Sequence, residues 1–276
     1  MNKVTQSLLK YLARNARPMF ESYGLLRTAK VYNKTALAWD PGPENVVVLA
    51  PHMDDETIGC GGTLARHVQA GATVRVVFLT DGRQGANATM VGLTDEARAS
   101  QEAELVRTRR NEARSALDTL GIHEVDFFDA PDGELTENTE MASGPLRKIL
   151  QRARPDLVYL PFFLEQHPDH SATTRVLLEA TRDSNLNFTC CSYEVWTPLF
   201  PNCLVKIDAQ MELKRKAIAC YDSQLHGSNY VHTALGLNAY RSSAFINDYA
   251  KYVEAFSCVP LAELRRLYNS YGQACA

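Results

Sequence analysis

The chain has 276 residues, 45% hydrophobic and 22% charged, the composition of a soluble globular protein with room for one large α/β domain or two small ones. A formal charge of −3 is too small for a polyanion-binding surface, so nucleic acid is excluded as an expected partner. Seven cysteines without C-x-x-C spacing, Cys190 beside Cys191, read as reduced thiols, and no apolar run approaches the ~20 residues that span a bilayer; the expected location is cytoplasmic.

Residues 1–40 stand apart. Val4, Leu8, Leu9, Tyr11 and Leu12 lie at helical spacing, with Lys10 and Arg14 interrupting any signal-peptide core. Seven basic residues against Glu21 and Asp40 give this segment a charge of +5, which leaves about −8 for residues 41–276. Such a basic helix packs on the acidic body, or touches an anionic membrane surface peripherally; the first is the commoner outcome. The division expected is an N-terminal basic helical extension, 1–40, and one domain, 41–276.

Pro41-Gly42-Pro43 breaks the chain, and an alternation begins. Short β-branched runs at 46–50, 74–79, 125–128 and 157–160 suit buried strands of a parallel sheet. Between them a helix is predicted over 95–120 with Gly121 as its stop, and another from Ser143-Gly144-Pro145 to just before Pro155. A third helix follows His170. Further strands are expected at 191–196 and 204–207, then helices over 212–225, 243–256 and 261–271. The pattern predicts an α/β fold: a Rossmann-like open, mostly parallel sheet flanked by helices, with a helical C-terminal part.

In such sheets ligands bind outside the carboxyl ends of the strands. Two strand ends carry His/Asp loops: Pro51-His52-Met53-Asp54-Asp55-Glu56 and His167-Pro168-Asp169-His170. Imidazole and carboxylate donors suit zinc or a similar divalent ion. His52 and Asp55, three apart at a strand-to-helix turn, can converge on one point, and His170 can add a third ligand. Asp54, His167 and Asp169 remain for proton work and orientation. Singly, an Asp pair after a strand more often caps a helix, and a strand-end His is more often a hydrogen-bonded surface residue. Two such loops at one sheet edge favour the metal. Gly59-Cys60-Gly61-Gly62 lacks the G-x-G-x-x-G spacing of a dinucleotide site, and its glycines are expected to let the first helix approach the sheet. The carboxylate metal site of a glycosyltransferase would not need these histidines. His67, His123, His226 and His232 read as structural or surface residues.

Pro51–Glu56 followed by Thr57-Ile58-Gly59-Cys60-Gly61-Gly62-Thr63-Leu64 resembles the A-H-P-D-D-E-x-x-x-G-G motif of the LmbE-like, PIG-L family of zinc de-N-acetylases, and His167–His170 resembles its H-P-D-H motif. Weaker similarity runs from about 45 to 256, through Thr80-Asp81-Gly82, Arg109–Glu112, Pro131-Asp132-Gly133 and Tyr221–Gln224. The resemblance implies a zinc ion on His52, Asp55 and His170, and Asp54 as general base. It implies that His167 polarises the acyl carbonyl or protonates the leaving amine, and that Asp169 orients or tunes that histidine. Arg109 and Asp132 match positions near the family's sugar pocket. Met53 stands where the family has proline and removes no catalytic group. The implied activity is hydrolysis of the N-acyl, expectedly N-acetyl, amide of a small amino sugar or its conjugate. A general metalloamidase and a catalytically silent carbohydrate-binding protein of the same fold are the alternatives. Neither the sugar nor the oligomeric state is legible.

Overall fold

The computed structural model describes residues 36–85, 90–225, 227–244 and 249–271. Of the helical extension expected over 1–40, residues 1–35 lie outside the described residues, as does His226, and within 36–40 Leu37–Ala38 form a strand rather than helix. The elements run β1 (Leu37–Ala38), β2 (Asn45–Ala50), α1 (Asp55–Gln69), β3 (Thr73–Thr80), α2 (Asp95–Leu120), β4 (Glu124–Ala130), α3 (Thr139–Ala153), β5 (Leu157–Pro161), α4 (Pro168–Ala180) and β6 (Thr189–Tyr193). They continue β7 (Cys203–Lys206), α5 (Met211–Ala219), α6 (Asp222–Leu225), α7 (Tyr230–Arg241), β8 (Val253–Pro260) and α8 (Leu261–Tyr271).

The strands form one sheet in the order β1-β7-β8-β6-β5-β2-β3-β4. All pairings are parallel except those of β8, which runs antiparallel to β6 and β7. Apolar runs make such strands because both faces are covered. Val46, Val48 and Ala50 enter one core with Leu64 of α1, Leu117 of α2 and Ala217 of α5. Val47 and Leu49 enter the other with Leu146 of α3, Val176 of α4 and Leu264 of α8.

Helix ends follow local chemistry. Thr94 caps α2 by accepting the Ala97 N–H, and Gly121 ends it at φ 77°, where a side chain would be strained. The helix expected from Ser143 begins earlier, at Thr139, with Pro145 inside it. The bond that proline removes is the one to the carbonyl of Met141, an exposed residue. The helix expected over 243–256 is overturned: its end belongs to the strand β8. Tyr252, Val253 and Phe256 lie at helical spacing, yet β8 is paired on both sides and buries Val253, Ala255 and Phe256, which decides for the strand. A helix unexpected from sequence, α7, occupies 230–241, its N-cap Asn229 accepting the His232 N–H.

Two features bring the first helix close to the sheet. A Cβ on Gly59 would collide with the ring of Tyr193, and one on Gly62 would lie 2.8 Å from Ile207, whereas Gly61 meets only ordinary contact with Lys214. Lys214, fully buried, donates from Nζ to Ile58 O (2.8 Å), Asn238 Oδ1 (2.9 Å) and Glu254 Oε1 (2.6 Å). Glu254 in turn accepts Gly62 N and Thr63 N at 2.9 and 2.7 Å, so one buried ion pair ties α1, α5, α7 and β8 together. The chain runs outward from β2 through β3 to β4, then returns to place β5 on the other side of β2. The strand order therefore reverses between β2 and β5, and both His/Asp loops leave from that point.

Candidate active site

The turn after β2 is strained and heavily tied. Asp54 has φ 140° and ψ −27°, a region L residues rarely occupy, at a cost of about 1–3 kcal/mol. Its carbonyl accepts Thr57 N (3.1 Å), Ile58 N (3.0 Å) and Thr57 Oγ1 (2.8 Å), and its own N–H donates to Glu56 Oε2 at 3.2 Å. Arg109 clamps the same turn, donating to Met53 O (2.8 Å) and Gly82 O (3.0 Å), with Nη2 3.5 Å from Asp54 Oδ1. Met53, where the family pattern has proline, is fully buried in the core. Asp54 occupies the N-cap position of α1, but its side chain makes no capping bond. Its carboxylate lines the cleft instead, which removes the simple capping reading.

Three donor atoms close a triangle. His52 Nδ1 lies 3.2 Å from Asp55 Oδ2; His170 Nε2 lies 3.3 Å from each of them. A tetrahedral ion with bonds of about 2.0–2.1 Å keeps its ligand atoms about 3.3–3.4 Å apart, so the triangle has the size of one face of such a shell. Two imidazoles and a carboxylate also match the donor chemistry of catalytic zinc. Donor groups within 4.8 Å of one another are also formed by His52, His167 and His170, and by His52, Asp132 and Asp169. The second set is occupied by other work. His52 Nε2 faces Asp132 Oδ1 at 3.2 Å and Asp169 Oδ2 at 3.1 Å. Asp169 further accepts Gly133 N (2.7 Å) and Leu135 N (3.0 Å), and Asp132 accepts Gln84 N (2.9 Å). Those carboxylates hold the hydrogen on Nε2, which leaves the Nδ1 lone pair facing Asp55 and His170.

Electrostatics agree with a cation-seeking cluster. Burial would depress the histidines, but Asp132, Asp169 and Asp55 outweigh it and raise His52 well above its ordinary range; Asp55 likewise lifts His170 to about 9. Burial would raise Asp55, but His170 and His52 hold it well below the usual carboxylate range. Asp54 is pushed up to about 7 by burial, against the pull of Arg109. His167 moves the other way: burial and the charges of His52 and His170 lower it. Its Nδ1 accepts Asp169 N at 3.2 Å, so the neutral ring carries its hydrogen on Nε2.

The expected site residues therefore gather at one place, with two differences in contact. The Asp169 carboxylate bears on His52 and the 133–135 backbone; only its backbone N–H meets His167. Asp132 touches His52, and buried Arg109 grips the Asp54 turn, while both still line the cleft. The cleft has a volume of about 310 Å³. Ile58, Gln84, Gly85, Gly133, Trp196, Gln224 and Tyr230 also line it, and none of these was named as a site residue from the sequence. Trp196 stands edge-on to His167 at 5.6 Å between centroids. Glu165 sets its position by accepting Val195 N, Trp196 N and Thr197 N; an acid two residues before the H-P-D-H segment was the only available signal. Glu56, pushed up to about 8 by burial, accepts Tyr221 OH at 2.5 Å beneath the turn. His67 is a buried structural residue bonded to Gly42 O and Tyr159 OH at 2.9 Å each, and His123 and His232 are exposed.

Residues 47–181 match the PIG-L family, described as GlcNAc-PI de-N-acetylase. The diacetylchitobiose deacetylase of Thermococcus kodakarensis is 28% identical over 66% of this chain and 70% of its own. The 1D-myo-inositol 2-acetamido-2-deoxy-alpha-D-glucopyranoside deacetylase of Mycobacterium sp. is 34% identical over 47% of each chain, so that match spans about half of the relative. The solved N,N'-diacetylchitobiose deacetylase of Pyrococcus horikoshii superposes with a TM-score of 0.65 and 27% identity, over 79% of this chain and 84% of that one. Through residues 47–181 the chain carries a domain of the PIG-L, LmbE-like family of deacetylases.

Proposed function

We propose that this protein hydrolyses the N-acetyl amide of an amino sugar or amino-sugar conjugate, with a zinc ion held by His52, Asp55 and His170. The observation that carries the reading is the triangle of donor atoms, 3.2–3.3 Å on a side, with the Asp54 carboxylate beside it on the cleft wall. The deacetylase names of the relatives support the substrate class. When bound, such an ion supplies Lewis acidity, which polarises an acyl carbonyl and lowers the pKa of water toward about 7.

The chain's own residues account for the rest. Ionised Asp54 takes a proton from the attacking water at its carboxylate. The amide C–N bond breaks, hydroxyl joins the acyl carbon, and hydrogen joins the nitrogen, giving acetate and a free amine. His167, neutral with its hydrogen on Nε2, holds the carbonyl oxygen as negative charge develops there. Asp54, buried and with its value raised to about 7, retains the proton long enough to return it to the leaving nitrogen. Asp132 and Asp169 keep His52 oriented, and Arg109 keeps Asp54 in its strained position. A panel of N-acetylated glycosides assayed for released amine tests the reading. Release from at least one amino sugar is expected. Failure of every amino sugar, with cleavage of a simple acyl-amino acid, would replace it with a general metalloamidase.

A further inference from the structure

A second cavity of about 360 Å³ adjoins the cleft and shares Ile58, Trp196 and Tyr230 with it. Its character differs. The cleft is walled by His, Asp, Arg and Gln side chains, whereas the second cavity adds Val195, Ala234 and Leu237, with the hydroxyls of Ser228 and Thr233, to the three shared residues. Ile58 and Ala234 are buried and pack with Ile218 beneath it, so its floor is part of a fixed apolar cluster. Its rim is not: Trp196 is 55% exposed, although Glu165 ties its backbone firmly in place. An anchored, solvent-facing tryptophan at the junction of two cavities offers one ring face or edge to a ligand that spans both.

We propose that this second cavity is an aglycone subsite, which binds an alkyl or aryl group carried by the amino sugar while the sugar's N-acetyl group lies in the cleft. The inference rests on the proposed deacetylation and narrows its substrate to conjugates with an apolar aglycone. Continuity decides the occupant: with Ile58, Trp196 and Tyr230 common to both cavities, whatever fills the second lies against what fills the first. No charged side chain is among the described residues that line it, which disfavours a phosphate as the occupant. Contacts there that are equally strong in ground and transition states lower KM without raising kcat.

The chain has two tryptophans, so Trp39→Phe leaves Trp196 as the single emitter at the junction. This protein is titrated with methyl, butyl, hexyl and octyl β-glycosides of N-acetylglucosamine, below their micelle-forming concentrations, while Trp196 emission is followed. The dissociation constant is expected to fall about three- to fourfold per methylene until the cavity fills, with a blue shift as water leaves the indole. In the same background, Leu237→Asp is expected to abolish the chain-length dependence. Equal affinity for methyl and octyl glycosides would overturn the subsite, as would a chain-length dependence that survives Leu237→Asp. Amine release from the same glycosides is measured in parallel. Turnover without chain-length dependence sinks the subsite alone; chain-length dependence without turnover sinks the deacetylation and with it the aglycone assignment.

Discussion

Asp54 combines three conditions that an ordinary surface aspartate avoids: a positive φ, a buried carboxylate and a neighbouring carboxylate in Asp55. Each has a measurable consequence. Asp54→Asn retains the ligand atoms and removes the base; kcat is expected to fall about 10²–10⁴-fold with metal content unchanged. In the active protein kcat/KM should fall as pH drops through the Asp54 value. That limb should lie at or below about 7, because a nearby cation favours the carboxylate. Wild-type activity in Asp54→Asn, at any pH, would exclude the role. The backbone is tested separately by comparing Asp54→Gly with Asp54→Ala. Both lose the carboxylate, but only glycine relieves φ 140°, so the glycine variant should be more stable to urea by about 1 kcal/mol or more. Equal stabilities would mean the turn stores no strain. For His167, a hydrogen-bond donor and a proton donor are distinguished by His167→Gln against His167→Ala. A donor role gives partial activity in Gln and a loss of about 10²–10³-fold in Ala, whereas a proton-donor role gives equal losses.

At the scale of elements, β2 and β5 with the loops that leave them were readable because their signals are local. A β-branched run announces each strand, and the donor residues follow within a few positions at the end where ligands bind. What stayed hidden depends on partners distant in sequence. Nothing near Asp169 says that its carboxylate will be filled by Gly133 and Leu135 backbone and by His52. Nothing in Tyr252–Phe256 reveals two neighbouring strands, and so helical spacing misleads there. Trp196 and Tyr230 reach the cleft from a loop after β6 and the first turn of α7, a helix to which the sequence assigned no element. The Lys214–Glu254 pair holds α7 and β8 against α1, and therefore supports the far wall of the site. Lys214→Met leaves Glu254 as an unpaired buried charge and should destabilise the protein by about 3–5 kcal/mol in urea unfolding. Adding Glu254→Gln should restore most of that loss. A single substitution that costs under about 1 kcal/mol would show that the pair is dispensable to the packing of α1.

The described residues place a triangle of three donor atoms, the Asp54 carboxylate and the His167 ring where the strand order reverses, beside a polar cleft with a more apolar neighbour. The fold alone does not dictate amide hydrolysis, since function resides in the site. Everything proposed here depends on the donors acting together on one ion. In the ion-free protein Asp55 outweighs burial and lifts His170 to about 9, so near neutral pH that ring holds a proton that binding must displace. Affinity should therefore rise with pH across the neutral range. The most direct measurement is elemental analysis of zinc per chain after saturation and desalting, on wild type, His52→Ala, His170→Ala and Asp54→Asn. About one zinc per chain is expected in wild type and Asp54→Asn, and much less in the two histidine variants. A full complement retained by His170→Ala, or none bound by the wild type, would contradict the account.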